Sequence, residues 1–229
     1  TRLGQGGIRL EAGETRRLVI PGATTATQSA ALNIGAISPQ TNGFITAWSC
    51  ELPRPTVSAV QARAGETRAG QQLVPVSADG DVCLYSSTAV DLIVDLSGTT
   101  STVPTGKTFT STQPYRLLDT RITGGYQVNP ITNGLALIPN TTYSLPAAGV
   151  YGMPAAAKAV AVNVTAVGGS TGFVQVFDCS TQQTASALNM NSTAAVANNV
   201  HVPLSSTGRL CIRSNVAVHI IVDVYGWWS

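Results

Sequence analysis

The chain is short of charge. Only 10% of its 229 residues are Asp, Glu, Lys or Arg, against about a quarter in an ordinary soluble domain. Net charge is +2, and the arginines are scattered rather than gathered into a basic stripe interleaved with aromatics. Nucleic acid is therefore not an expected partner. No apolar run approaches the roughly 18 residues of a membrane-crossing helix, so membrane insertion is not expected either. There are two histidines, His201 and His219, and neither recurs at close ligand spacing with cysteine. No metal or cofactor is implied. The chain opens at Thr1 rather than at Met and shows no signal-peptide pattern, as expected of a chain processed from, or forming part of, something longer.

What is present is repetition. "AALNIGAI" (30–37) matches "VAVNVTAV" (160–167), "NGFITAWSC" (42–50) matches "TGFVQVFDC" (171–179), and "VPVSADGDVCLYSSTAVDLIVDLSG" (74–98) matches "VPLSSTGRLCIRSNVAVHIIVDVYG" (202–226). Three collinear matches mark an internal duplication. The first copy covers residues 1–98 and the second residues 115–229. Residues 99–114, rich in Thr and Ser with no apolar periodicity, read as an extended connector.

Within each copy the pattern is that of strands. "FVQVFDC" alternates, "VAVHIIVDVYG" is a β-branched run, and Asp79–Gly80 and Thr207–Gly208 read as hairpin turns. "MPAAAKA" (153–159) predicts at most one helical turn. The expected fold is all-β: two homologous tandem repeats, sandwich-like or barrel-like, of roughly six to eight short strands each.

The four cysteines allow three pairings. Cys50 aligns with Cys179 and Cys83 with Cys211, so the duplication favours Cys50–Cys83 and Cys179–Cys211, one bond per copy. Matched pairs without a CxxC point to an oxidising compartment.

These residues resemble a known repeat. "YRLLDTR", "AVAVNVTAV", "SALNMNSTAAVANNVHVPL" and "HIIVDVYGWW" are similar to the RLLDTR…LNVTAV…VDVxGY module of secreted and surface proteins of actinobacteria. The resemblance spans the chain twice and is closer in the second copy. In the first, Gln61 stands where the second has Asn189. It implies an extracellular accessory or structural module without catalytic residues.

Several polar residues need an account. Asp223 lies in an otherwise apolar strand, where an unpaired carboxylate is costly. Arg121 is its expected partner, with Asp119 on the same face as Arg121. Arg2 and Asp95 are the counterparts in the first copy. Carboxylates are too sparse for a Ca²⁺ shell, and the first copy has no counterpart of Asp119 to support a glycosidase pair. Asn189, Asn191, Asn198 and Asn199 crowd one segment of the second copy and are candidates for hydrogen bonding to a glycan beside a Trp or Tyr as stacking platform. Asn163 and Asn191 begin sequons. Adjacent Trp227 and Trp228 should face opposite sides of a strand, one towards the core and one towards solvent or a partner.

The expected function is a secreted, non-catalytic structural module of the cell surface, self-assembling into a filament or layer. The alternative is a carbohydrate-binding adhesion or accessory module that targets a cell or enzyme to polysaccharide. One feature bears on assembly. "YRLLD" precedes Thr120–Arg121, but nothing matches it before Thr1–Arg2. The strand position it would fill in the first copy is left to a preceding segment, to the connector, or to a segment of a neighbouring molecule.

Overall fold

A computed structural model of the chain describes residues 7–103, 106–123, 131–180, 184–191 and 194–229. Its described residues form strands, turns and loops, without helix. The chain divides into two compact units, Thr1–Gly106 and Lys107–Ser229.

Unit 1 holds β1 (Thr15–Val19), β2 (Thr27–Ile37), β3 (Gly43–Ser49), β4 (Val60–Ala62), β5 (Arg68–Pro75), β6 (Asp81–Ser86) and β7 (Asp91–Ser101). One sheet has the order β1-β6-β3-β4 and the other β5-β2-β7. Unit 2 holds β8 (Phe109–Asp119), β9 (Thr142–Pro146), β10 (Ala159–Val167), β11 (Gly172–Phe177), β12 (Leu188–Met190), β13 (Val196–Pro203), β14 (Arg209–Ser214) and β15 (His219–Trp228). Its sheets have the orders β12-β11-β14-β9 and β13-β10-β15-β8. All the paired strands are antiparallel, as expected where one face of each sheet is buried and the other is free to be polar.

The two units repeat each other down to register. Asn33 lies opposite Asp95 in β2–β7, and Asn163 opposite Asp223 in β10–β15. Both pairings carry a bulge at the same place, between Ala31 and Leu32 and between Ala161 and Val162. Cys50 is bonded to Cys83 and Cys179 to Cys211, one disulfide in each unit, as the duplication indicated. The hairpin turns at Gly80 and Gly208 both use a left-handed glycine, φ 80° and 71°, a conformation other residues adopt at a cost. Each unit has its own core. Leu18, Leu32, Ile34, Ile45 and Leu84 contribute to that of unit 1, and Leu118, Leu145, Val162, Leu210 and Val222 to that of unit 2.

The units differ at one edge. In unit 2, β8 lies along β15 and makes the second sheet four-stranded. In unit 1, β7 pairs with β2 alone among the described residues. The stretch expected as a connector does not fill the gap: residues 99–101 continue β7, and residues 109–114 form the first half of β8. A Thr/Ser-rich stretch lacks apolar alternation yet pairs as edge strand, because its backbone supplies the hydrogen bonds whatever its side chains.

Candidate functional site

The sequence places a polar residue at one height on every strand of unit 2's second sheet. Asn199 of β13 lies opposite Asn163 of β10, Asn163 opposite Asp223 of β15, and Asp223 opposite Arg116 of β8. Their neighbours along each strand point to the core: Val162, Val164, Val222 and Val224 are fully buried. Alternation thus sets the four polar side chains in a transverse row on the outer face.

Arg116 binds Asp223 through both carboxylate oxygens: its Nε donates to Oδ1 at 2.8 Å and its Nη2 to Oδ2 at 3.2 Å. Its Nη1 also donates to Oδ2 of Asp119 at 3.1 Å. The Asp119 side chain is only 2% exposed. It accepts from Arg121 at three points: Nε at 2.9 Å and the backbone N–H at 3.1 Å on Oδ1, and Nη2 at 2.7 Å on Oδ2. Hydrogen bonds from the Arg121 side chain hold the Asp119 carboxyl below the usual aspartate range, outweighing its burial. The Arg116 guanidinium is raised, chiefly by its hydrogen bonds to Asp223.

The expected Arg121–Asp223 pair is therefore replaced by a chain of contacts, Arg121–Asp119–Arg116–Asp223. Two local features cause this. The strand ends at Asp119, and Arg121 turns back on it in a turn of the Asx kind. A bulge between Val222 and Asp223 then brings Arg116 opposite Asp223. In unit 1, Asp95 is buried on β7 opposite Asn33, and Asn33 opposite Gln71. Arg2 lies outside the described residues.

Two of the asparagines expected to meet a glycan make hydrogen bonds within the fold. Asn198 turns inward and donates to the Ala187 carbonyl at 2.6 Å. Asn189 donates to Ser186 Oγ at 3.1 Å. Asn191 is half-buried at the end of β12.

Beside the polar row stands a cluster of rings. The bulge between Ala161 and Val162 inserts Tyr225 into β15, so Gly226 faces Ala161 while Val224 faces Val162. Beyond it, Trp227 packs on the core and Trp228 lies on the outer face. Trp228 meets the Phe109 ring at a centroid distance of 4.7 Å and the His201 ring edge-on at 5.0 Å. Phe109 occupies the space where a side chain on Gly226 would sit. Burial pushes the His201 imidazole below its ordinary pKa, so it is neutral at pH 7. Phe109, Arg116 and His201 had no expected role. Arg116 stands within the quoted "YRLLD", but its partner is visible only in the cross-strand register.

Asp119 and Asp223 are both engaged by guanidinium groups, which leaves neither poised as a general acid. Among the described residues no group of three or more His, Cys, Asp or Glu is placed to hold a metal ion. No helix among them is long and apolar enough to cross a membrane.

The class defined by these features is a duplicated, disulfide-bonded, all-β chain with sandwich-like units. No family model and no curated protein matches it. Among solved structures it is similar to the N-terminal CBM22-1–CBM22-2 tandem domain of Paenibacillus barcinonensis Xyn10C, with 11% identity and a TM-score of 0.24 over 97% of this chain and 85% of that one.

Proposed function

We propose that the chain is a non-catalytic structural module of the extracellular surface, completed in unit 1 by an added strand and joined through that strand to neighbouring subunits. The supporting observation is a groove at the open edge of β7. Ile8, Leu10, Leu18, Leu84, Leu92 and Val94, with Gly7, Arg16 and Arg17, line a cavity there. The residues of unit 2 at the positions of Leu10, Leu18, Leu84, Leu92 and Val94 are Leu137, Leu145, Ile212, Ile220 and Val222. All five belong to the cluster that encloses Leu117 and Leu118 of β8. In unit 2 those two leucines are 1% and 0% exposed. In unit 1, Leu92, Val94 and Leu96 are only half-buried, whereas Ile220, Val222 and Val224 are fully buried. Unit 1 thus offers a socket fitted to an Arg-Leu-Leu-Asp strand beside an edge that pairs with no second strand among the described residues, the arrangement that β-augmentation uses. The two disulfides fit an oxidising, extracellular setting. So does the resemblance to the actinobacterial surface repeat.

The test uses the full chain. A synthetic Tyr-Arg-Leu-Leu-Asp-Thr-Arg peptide should bind, raise the melting temperature and protect the β7 amides from hydrogen exchange, and a peptide with both leucines replaced by serine should not. Protein prepared from its native source should sediment as polymers. A peptide without effect, or native material that stays monomeric at high concentration, overturns the reading.

A further inference from the structure

We infer that the outer face of the sheet β13-β10-β15-β8 in unit 2 is a binding platform for a neutral polysaccharide built of pyranose rings. The inference stands apart from strand addition, which concerns unit 1.

The platform has two parts on one face. The first is the ring cluster of Trp228, Phe109 and His201. Phe109 is 44% exposed although it packs on the sheet. A pyranose presents axial C–H groups on its faces, and these settle against the negative face of an aromatic ring. Indole and phenyl rings fixed by mutual contact lose little freedom on binding, which favours a weak, repetitive ligand.

The second part is the row Asn199–Asn163–Asp223–Arg116. Adjacent strands place its members about 4.8 Å apart, close to the advance of one sugar residue along an extended chain. Along the strands His201 lies two register positions from the row and the Trp228–Phe109 pair four, roughly 7 and 13 Å, so a chain of a few sugar residues can span both. The Asn199 side chain is exposed and makes no hydrogen bond among the described residues, while its backbone lies in the β13–β10 ladder. Its amide offers donor and acceptor together, the combination that reads a pair of neighbouring hydroxyls. Asn163 Nδ2 donates to Thr165 Oγ1 at 3.3 Å, which leaves its amide oxygen available as an acceptor.

Charge selects the ligand class. Arg116 is the one cation of the row, and it is engaged by Asp223 and Asp119. His201 is neutral at pH 7. The row and the ring cluster themselves therefore hold no surplus positive charge for sulfate, uronate or phosphodiester groups, which favours a neutral glycan over a charged one.

Unit 1 provides an internal contrast. The matching row, Gln71–Asn33–Asp95, is buried at 9%, 9% and 6% exposure. The position of His201 is held by Leu73, and those of Gly226 and Trp228 by Gly98 and Thr100. The same framework there lacks both the rings and the exposed amides, so binding should map to unit 2.

The experiment is retention of the intact protein on insoluble cellulose, chitin and xylan, with affinity electrophoresis on the soluble β-glucan form. The expected result is retention on at least one of them, reduced tenfold or more by Trp228→Ala and Phe109→Ala and several-fold by Asn199→Ala. Asn199 is exposed, so its variant keeps the native circular dichroism and melting temperature and gives the decisive reading if a ring variant unfolds. Leu73→Ala in unit 1 should leave retention unchanged. Absence of retention on every polysaccharide overturns the inference. So does retention that persists in folded Asn199→Ala and Phe109→Ala variants, or retention abolished by Leu73→Ala.

Discussion

Asp119 shows how one side chain can anchor an edge strand. Its carboxylate is buried and receives charge-assisted hydrogen bonds from Arg116 and Arg121, bonds worth about 1.5–3 kcal/mol each where they are shielded and less where the cation is half exposed. Asp119→Ala should therefore destabilise unit 2 by about 2–3 kcal/mol in urea unfolding at pH 7. The pH dependence follows from the lowered carboxyl pKa. A carboxyl whose folded pKa lies below its unfolded value of about 3.9 contributes its stabilisation above that value and loses it as pH falls through the folded pKa. The gap between the wild-type chain and Asp119→Ala should be constant from neutral pH to about pH 5 and close progressively below about pH 4; a gap independent of pH would show that the charge is not what Asp119 contributes. That Asp223 needs a cation was legible from its apolar surroundings. Which arginine supplies it was not, because a one-residue bulge sets Arg116 rather than Leu117 opposite Asp223 and leaves no mark in composition.

At the scale of elements, the two second sheets compare an edge strand present with one absent among the described residues. Gly226 and Gly98 stand at matching positions. A side chain on Gly226 would run into the Phe109 ring and the Thr110 carbonyl of β8, whereas one on Gly98 would meet no heavy atom within 4 Å. Gly226→Ala should cost about 1–3 kcal/mol by overpacking. Gly98→Ala should be neutral or stabilise by up to about 1 kcal/mol, since it narrows the unfolded ensemble. Thermal denaturation of the two variants checks this, and equal costs would mean that β8 does not pack over Gly226 as described. Strands with clear alternation, such as β11 and β15, were visible in the sequence. β8 was visible only in its second half. Its first half carries Thr and Ser, pairs through backbone alone, and so read as connector. Asn198 misled for a related reason: a polar residue satisfied by a carbonyl within the fold looks, in sequence, like one available to a ligand.

At the scale of the whole molecule, the duplication was the most legible feature, because collinear matches need no knowledge of contacts. It gave the fold class and the pairing of four cysteines together. Each unit has its own core and its own disulfide. A fragment of residues 107–229 should therefore fold alone, with dispersed amide resonances and a cooperative transition. A fragment of residues 1–106 should be less stable than the other unit, because the described residues of its core include no counterparts of Leu117 and Leu118. Burying two such leucines is worth roughly 3–6 kcal/mol, so the difference in unfolding free energy should be of that order. Equal stabilities would mean that unit 1 needs no further strand. Each disulfide closes a loop with a sequence separation of 33 or 32 residues, which contributes about 3–4 kcal/mol to either unit in the chain-entropy account and does not distinguish them.

The inserted Tyr225 has an effect out of proportion to its size. Side chains along a strand alternate like the teeth of a zip, and one extra tooth exchanges the two sides for everything that follows. If Tyr225 took an ordinary place in the alternation instead of bulging, the tryptophan after Gly226 would share a side with Asp223 and Trp228 would go to the core. With it, Trp228 joins Asp223 in facing outward while Trp227 packs on the core. Unit 1 carries the same extra tooth at Ser97 and has Thr99 and Thr100 where unit 2 has its tryptophans. The phase of the strand and the chemistry displayed beyond it are thus separate variables: residues past the insert can be rewritten to give a different surface while the core on the other side keeps its pattern.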